Sequence, residues 1–313
     1  MVGLNLKLFL SAPVALILLP TAPAAAQDLD TERKRCMGIG RSIKRKLIRF
    51  YPDLARLPKR RLANSDLSPE LTRETEIVHD MSRFPANDLY RQFLIDTAKD
   101  MPKPHHYFEI YEQWFSRFRN RVDLKLLEIG VARGGSLKMW RQYFHDKATI
   151  VGLDIDPGCK AYENADENIF IEIGDQTDTS FLKHVAEKFG PFDIILDDGG
   201  HTTAQQTISF NHLYANGLND PGVYLVEDLQ TNYWPEFQDA DQSFIDFAKS
   251  LVDRLHEFYI KNRSIHSFQK GRPEQRRSMK VSRFCADTRS ISFYDSIIVF
   301  EKRRKSVPVL ERG

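Results

Sequence analysis

The stretch LLEIGVARGGSLKMW, Leu126 to Trp140, constrains the fold of this 313-residue chain more than any other. Leu124, Leu126, Leu127 and Ile129 make an apolar run of the kind that suits a strand covered on both faces, as in a parallel sheet. Gly130, Gly134 and Gly135 then permit a sharp turn and a close approach of backbone to ligand. A helix beginning near Ser136 aims its first backbone amides at the same place. The turn departs from the dinucleotide fingerprint G-x-G-x-x-G, because Ala132 stands where a second glycine would admit a pyrophosphate.

A regular alternation follows. Strands are expected over 124–129, 149–155, 169–174, 192–198 and 223–229, with helices over about 136–145, 179–189, 203–217 and 241–257. That rhythm predicts an α/β fold with a doubly wound parallel sheet. Near the C-terminus SRFCADTRSISFYDSIIVFEKR reads as two further strands with a turn at Asp287–Ser290. Upstream, Ser68-Pro69-Glu70 opens a helix, and 88–98 and 105–120 carry helical spacing. Tyr107, Ile110, Tyr111, Trp114, Phe115 and Phe118 share one broad face of the last of these, a stripe read as core rather than as a ligand cage.

In open α/β sheets ligands sit beyond the carboxyl ends of the strands, so strand-end residues carry the chemistry. Asp154 ends the second strand 24 residues after Gly130, the place for a carboxylate that takes ribose hydroxyls. Asp175 ends the third and is placed for an adenine amino group. NAD would also use Asp154, so these two leave the cofactor open. The fourth strand ends Asp197-Asp198-Gly199-Gly200-His201, and the fifth ends Glu227-Asp228. Adjacent strands lie about 4.8 Å apart, which would make these acids converge and repel unless a cation joins them. Oxygen ligands of this kind suit Mg²⁺ or Ca²⁺ rather than zinc. His201 is the histidine beside these acids, and a neutral imidazole there can take the proton of a hydroxyl that a metal has acidified. The other histidines have no acidic strand-end context.

These residues carry a resemblance. Glu128, before the first glycine, fits the pattern of class I S-adenosylmethionine (SAM) methyltransferases. DDGGH with Gln205, Gln206, Ser209 and Phe210, then VEDLQTNYW (Val226–Trp234) and SISFYDSIIVFEK (Ser290–Lys302), resembles the macrocin and mycinamicin type of sugar O-methyltransferase. EIGVARGGSLKMWRQYF and GLDID agree, and the similarity runs from about Pro104 to Lys302. The resemblance implies a seven-stranded Rossmann-like sheet whose last strand is antiparallel, with SAM and Mg²⁺ as cofactors. By motif, Glu128, Gly130, Gly134, Ser136, Asp154 and Asp175 would hold SAM, and Asp197 would serve the cofactor side or the loop. Asp198, Glu227 and Asp228 would hold Mg²⁺, and His201 would be the base. The acceptor would be a hydroxyl of a sugar or glycoconjugate. Cephalosporin hydroxylase-type proteins and rhamnosyl O-methyltransferases share this core, and Gln230 and Asn232 depart from the expected motif, so the acceptor stays open. Tyr233 and Trp234 could floor a sugar site or simply pack. Two other classes remain: a nicotinamide oxidoreductase, against which Ala132 and the acids count, and a non-catalytic exported or membrane-attached binding protein on the same scaffold.

The N-terminus gives conflicting signals. Residues 8–26 are apolar and end in Ala24-Ala25-Ala26, like a cleavable secretory segment. Only Lys7 precedes them, whereas Arg33, Lys34, Arg35, Arg41, Lys44, Arg45, Lys46 and Arg49 follow, a distribution that keeps the following chain on the cytoplasmic side. A cleaved signal, an anchor and a later start such as Met37 all remain open; a SAM enzyme is expected in the cytoplasm or on the cytoplasmic face of a membrane. The basic tract to Arg61, a short helix broken by Pro52 and Pro58, is either a solvated helix face or a contact for anionic lipid, worth about 1 kcal/mol per charge. No aromatics interleave it for stacking on bases, so no nucleic-acid partner is expected. The organisation expected is a signal-like or anchor segment (1–26), a basic helical extension (27–103), the methyltransferase domain (104–305) and a tail (306–313). Cys36, Cys159 and Cys285 form no metal-ligand spacing and read as ordinary thiols. A net charge of +2 specifies no partner, and self-association stays open.

Overall fold

The computed structural model describes residues 67–78, 80–97 and 101–311. The signal-like segment, the basic tract and its lipid contact therefore lie outside the described residues. Among the described residues no helix is long and apolar enough to cross a membrane.

Seven strands form one sheet: β1 (Lys125–Ile129), β2 (Thr149–Asp154), β3 (Ile169–Ile173), β4 (Phe192–Asp197), β5 (Leu218–Val226), β6 (Thr288–Phe293) and β7 (Ile298–Lys302). Their order is β3-β2-β1-β4-β5-β7-β6. β1 to β5 run parallel, and β7 lies antiparallel between β5 and β6. This is the seven-stranded α/β sheet, closed by an antiparallel strand, that the sequence and its resemblance led us to expect. The order reverses at β1, which pairs with β2 on one side and β4 on the other. That reversal leaves a crevice at the carboxyl ends.

Helices cover both faces. α1 (Tyr107–Phe115) and α2 (Gly135–Tyr143) lie on one, and α3 (Thr179–Phe189), α4 (Thr203–Asn216) and α5 (Phe244–Leu255) on the other. Alternation along the strands feeds the two layers: Leu126, Ile150, Ile194 and Val223 join the first core, and Leu127, Val151, Ile195 and Tyr224 the second. On the first face the aromatic stripe of α1 packs on α2, with Tyr111 edge-on to Trp140 at 5.3 Å. Each such buried ring contributes about 1.5–3 kcal/mol. The same core reaches back to Leu89 and Tyr90, so it begins well before the motif-rich region starts at Pro104. Helix starts are capped locally. Asp178 accepts amide hydrogen bonds at α3, Ser243 does so at α5, and Thr202 and Gln205 form a reciprocal capping box at α4.

Three expected elements differ. β5 starts at Leu218 and stops at Val226, because Asp228 turns the chain with φ +57°. Arg283–Asp287 is a short helix, not a strand, because the Ser282 hydroxyl accepts the Cys285 amide and caps it. The hairpin turn consequently falls between Phe293 and Ile298, with Ser296 at φ +63°, rather than at Asp287–Ser290. Ser68-Pro69 does open a helix, of only four residues (Pro69–Thr72).

Gly130 has φ +94°, and a Cβ there would stand 2.1 Å from the Asp198 carbonyl oxygen. Gly271 has φ +78° with no atom within 4 Å of such a Cβ. Left-handed backbone costs a non-glycine residue about 1–2 kcal/mol, and forced overpacking adds roughly 1–3 kcal/mol. Gly130→Ala should therefore destabilise clearly more than Gly271→Ala in urea unfolding. Equal losses would show that the β1–β4 backbone approach is not under this constraint.

Candidate active site

A cavity of about 540 Å³ opens where β1, β2, β3 and β4 end, within the range of small-molecule sites. Its walls are the glycine turn after β1, the ends of β2 and β3, the Asp198–His201 loop, Asp228 and the segment Met101–Lys103. Gly130, Ala132 and Gly134 all have positive φ, which folds the turn tightly over the strand ends. Asp154 fixes the turn from the side: one carboxylate oxygen accepts the Val131 and Ala132 amides at 2.8 and 3.0 Å, the other the Asp156 amide at 2.9 Å. A carboxylate has about four acceptor positions, so Asp154 retains capacity toward the cavity it lines. Asp175 also lines the cavity and holds a local turn through Thr177. Ser136 lines it at the start of α2.

Two acids expected at the cofactor turn inward. Glu128 is wholly buried and is not on the cavity wall; Ser136 Oγ donates to it at 2.8 Å from the α2 side. Burial pushes its carboxyl up to about 7, against the pull of the Lys103 ammonium. Asp197 is likewise absent from the wall. It accepts hydrogen bonds from Ser209 Oγ at 2.5 Å, Tyr224 at 3.1 Å and Gln176 at 3.2 Å, a buried hub that joins β4 to α4, β5 and the β3 exit. The reason is the pleat: Asp197 points to the α4 face, so the next residue, Asp198, reaches the crevice.

Of the second acidic group, Asp198 and Asp228 reach the cavity wall, whereas Glu227 is wholly buried and absent from it. β4 and β5 are neighbours with Asp197 opposite Val226, which sets Asp198 beside Glu227. Ligand atoms of Asp198, His201 and Asp228 all lie within 4.8 Å of one another. His201 Nε2 is 3.6 Å from Asp228 Oδ2 and 3.9 Å from Asp198 Oδ1. Both His201 and Asp228 have positive φ, at 62° and 57°, backbone conformations that cluster at functional sites. Burial raises the Asp198 carboxyl above its usual range, while Lys103 and His201 oppose that rise. Burial would raise Asp228 too, yet Lys103, the Tyr107 hydroxyl and Gln230 together hold it below the ordinary value.

Three contributors were missed in the sequence. Lys103 Nζ sits between Asp198 Oδ2 and Glu227 Oε1. From α1, Tyr107 donates to Asp228 Oδ1 at 2.8 Å, and Tyr111 donates to Glu227 Oε2. These tyrosines are core residues, as their spacing suggests, but their hydroxyls serve the acids. The available signal was hydroxyl-bearing rings one helical turn apart in a stripe otherwise of Phe, Trp and Ile. Gln230 donates to Asp228 at 3.1 Å, and buried Asn232 ties Gln206 to the first turn of α5, so both unexpected motif residues are structural supports. Carboxylates with a nearby imidazole and no thiolate form a donor set that fits a hard cation such as Mg²⁺.

No family model matches the sequence. Among curated proteins the chain is 36% identical over 213 residues to the 8-demethyl-8-alpha-L-rhamnosyl tetracenomycin-C 2'-O-methyltransferase of Streptomyces olivaceus, covering 64% of this chain and 51% of that protein. It is 37% identical over 164 residues to the demethylmacrocin O-methyltransferase of Streptomyces fradiae, covering 48% and 40% respectively. Among solved structures, the MycE methyltransferase of the mycinamycin biosynthetic pathway, in complex with Mg, SAH and mycinamycin VI, superposes with a TM-score of 0.59 at 27% identity, covering 74% of this chain and 56% of that one. The chain spans about half the length of the curated relatives it matches. In sequence and in fold, this chain is similar to the methyltransferase core of the macrocin and mycinamicin type of sugar O-methyltransferase.

Proposed function

We propose that the protein transfers the methyl group of SAM to a hydroxyl of a sugar within a small-molecule glycoconjugate, in a Mg²⁺-dependent reaction. The observation that carries this reading is the meeting of Asp198, His201 and Asp228 at the lip of a cavity formed by the glycine turn. The named relatives are sugar O-methyltransferases, and the MycE structure holds Mg and SAH, which supports the same chemistry here. Asp154 and Asp175 take the ribose and adenine ends of SAM, with the amides at the start of α2 beside Ser136. Glu128 acts from behind Ser136. Asp198 and Asp228 hold the cation, with Glu227 as third carboxylate. When bound, Mg²⁺ supplies an anchor for the sugar hydroxyls and lowers the pKa of the one that attacks. His201 Nε2 takes that hydroxyl's proton as the new C–O bond forms and the methyl–sulfur bond breaks, leaving S-adenosylhomocysteine. The reading locates the protein in the cytoplasm or on the cytoplasmic face of a membrane, which the basic tract after the apolar segment supports.

Calorimetric titration with SAM and, separately, with NAD decides the cofactor. SAM should bind and NAD should not; the reverse result would overturn the reading in favour of an oxidoreductase. With SAM established, Asp198→Asn should abolish Mg²⁺-dependent turnover on rhamnosyl or deoxysugar acceptors while SAM affinity stays near wild type. A large loss of SAM affinity would put Asp198 in the wrong site. His201→Ala should lose roughly 10²–10⁴-fold in turnover, the range for a general base; activity near wild type removes it from that role. Tyr107→Phe deletes one hydrogen bond to a charged acceptor, worth about 1.5–3 kcal/mol, so Mg²⁺ affinity should fall roughly tenfold or more with the fold intact by circular dichroism. Unchanged affinity would mean Asp228 needs no help from α1.

A further inference from the structure

Lys103 lies at the centre of the acidic group. Its ammonium bridges Asp198 Oδ2 and Glu227 Oε1, and its side chain is only 6% exposed. Among the described residues, Lys103 and His201 are the basic groups paired with Asp198, Glu227 and Asp228. Pro102 and Pro104 flank the lysine and favour an extended backbone, which presents it from the cavity wall rather than from a helix. Asp198 and Glu227 are two of the three carboxylates assigned to Mg²⁺ above, and a divalent cation that takes the oxygens Lys103 engages cannot share them with its ammonium at coordination distance.

Resting on the Mg²⁺ reading above, we infer that Lys103 is a tethered counter-ion of the metal site, which a divalent cation must displace from Asp198 and Glu227 before the site can load. The lysine keeps these acids compensated while no metal is bound. A group held on the same chain competes at an effective concentration of the order of millimolar or above, so it weakens apparent metal affinity without touching the metal. Once displaced, the side chain leaves the group of acids and changes the wall of the cavity that Met101–Lys103 forms. Lys103 thereby sets the cation concentration at which the site becomes competent.

The test uses the full chain, stripped with EDTA, at pH 8. Mg²⁺ alone is titrated calorimetrically into wild type and Lys103→Met, and in parallel acetic anhydride labelling of Lys103 is followed by mass spectrometry with and without Mg²⁺. Lys103→Met should bind Mg²⁺ at least tenfold more tightly. In wild type Lys103 should be protected from acylation without Mg²⁺ and at least tenfold more reactive with it. Equal or weaker Mg²⁺ affinity in the variant overturns the inference while leaving the metal site in place, as does acylation that saturating Mg²⁺ does not alter. Binding in the variant alone supports it. Absence of Mg²⁺ binding in both proteins overturns the metal assignment and this inference together. If Lys103→Met does not fold, the labelling of wild type decides by itself.

Discussion

Backbone pairing that continues one residue past the strand ends fixes the height of every group at the crevice. The Gly130 amide donates to Leu153 at 2.7 Å, the Asp198 amide to Ile129 at 2.9 Å, and the Glu227 amide to Asp197 at 3.1 Å. β2, β1, β4 and β5 therefore exit at one level, where Asp154 is the last residue of β2 and Gly130, Asp198 and Glu227 are the first beyond β1, β4 and β5. Only a glycine at 130 lets the turn lie against the Asp198 carbonyl. Gly199 lets the next loop close over Gln176, whose side-chain oxygen accepts the Gly200 amide at 2.8 Å, and Gly200 leaves room for the Gln205 side chain. Steric economy of this kind explains why the loops of the site are short and rich in glycine, with the candidate functional groups Asp198 and His201 on either side of Gly199 and Gly200.

Placing so many acids at one level raises an electrostatic problem that the rest of the chain answers. Leaving a buried charge without a partner costs several kcal/mol, so each carboxylate needs donors. The tyrosines of α1 supply neutral ones, and burial beside the acids keeps both hydroxyls protonated by raising them well above their ordinary range. Glu128 takes another course: it is pushed up to about 7 and bonds Ser136. Lys103 supplies the positive charge. The helix that precedes the sheet is thus a part of the site rather than an appendage, and the continuity of its core with β1 and α2 holds its hydroxyls in place.

The βα rhythm was legible because strand and helix periods differ and both are written in apolar positions. The strand-end acids were legible because the fold dictates where ligands bind. What escaped was information carried by side-chain direction. Asp197 and Asp198 are adjacent and chemically alike, and only the pleat decides that one joins a buried hub and the other the crevice. Glu128 could not be seen to turn away from the cavity until Ser136 was in place. Lys103 lies 95 residues from Asp198 and 124 from Glu227, with no periodic pattern around it, so nothing local marked it. The misplaced hairpin turn has a simpler cause: Ser282 caps a helical turn that looked like strand sequence.

His201 is where the geometry separates two roles that composition alone would merge. Its Nε2 faces Asp198 and Asp228 from 3.9 and 3.6 Å, beyond hydrogen-bond distance, while its carbonyl oxygen accepts the Thr231 hydroxyl at 3.2 Å. The left-handed backbone at His201 and the Thr231 contact tie the loop to the turn after β5, so the ring is aimed by both strand exits. A nitrogen that ligates a cation has no lone pair left for a proton. Hard cations prefer oxygen, and the carboxylates provide it without the imidazole. In the proposed reaction both preferences are met when the acids go to the cation and the imidazole stays at the edge of the cavity, where an acceptor hydroxyl would meet it.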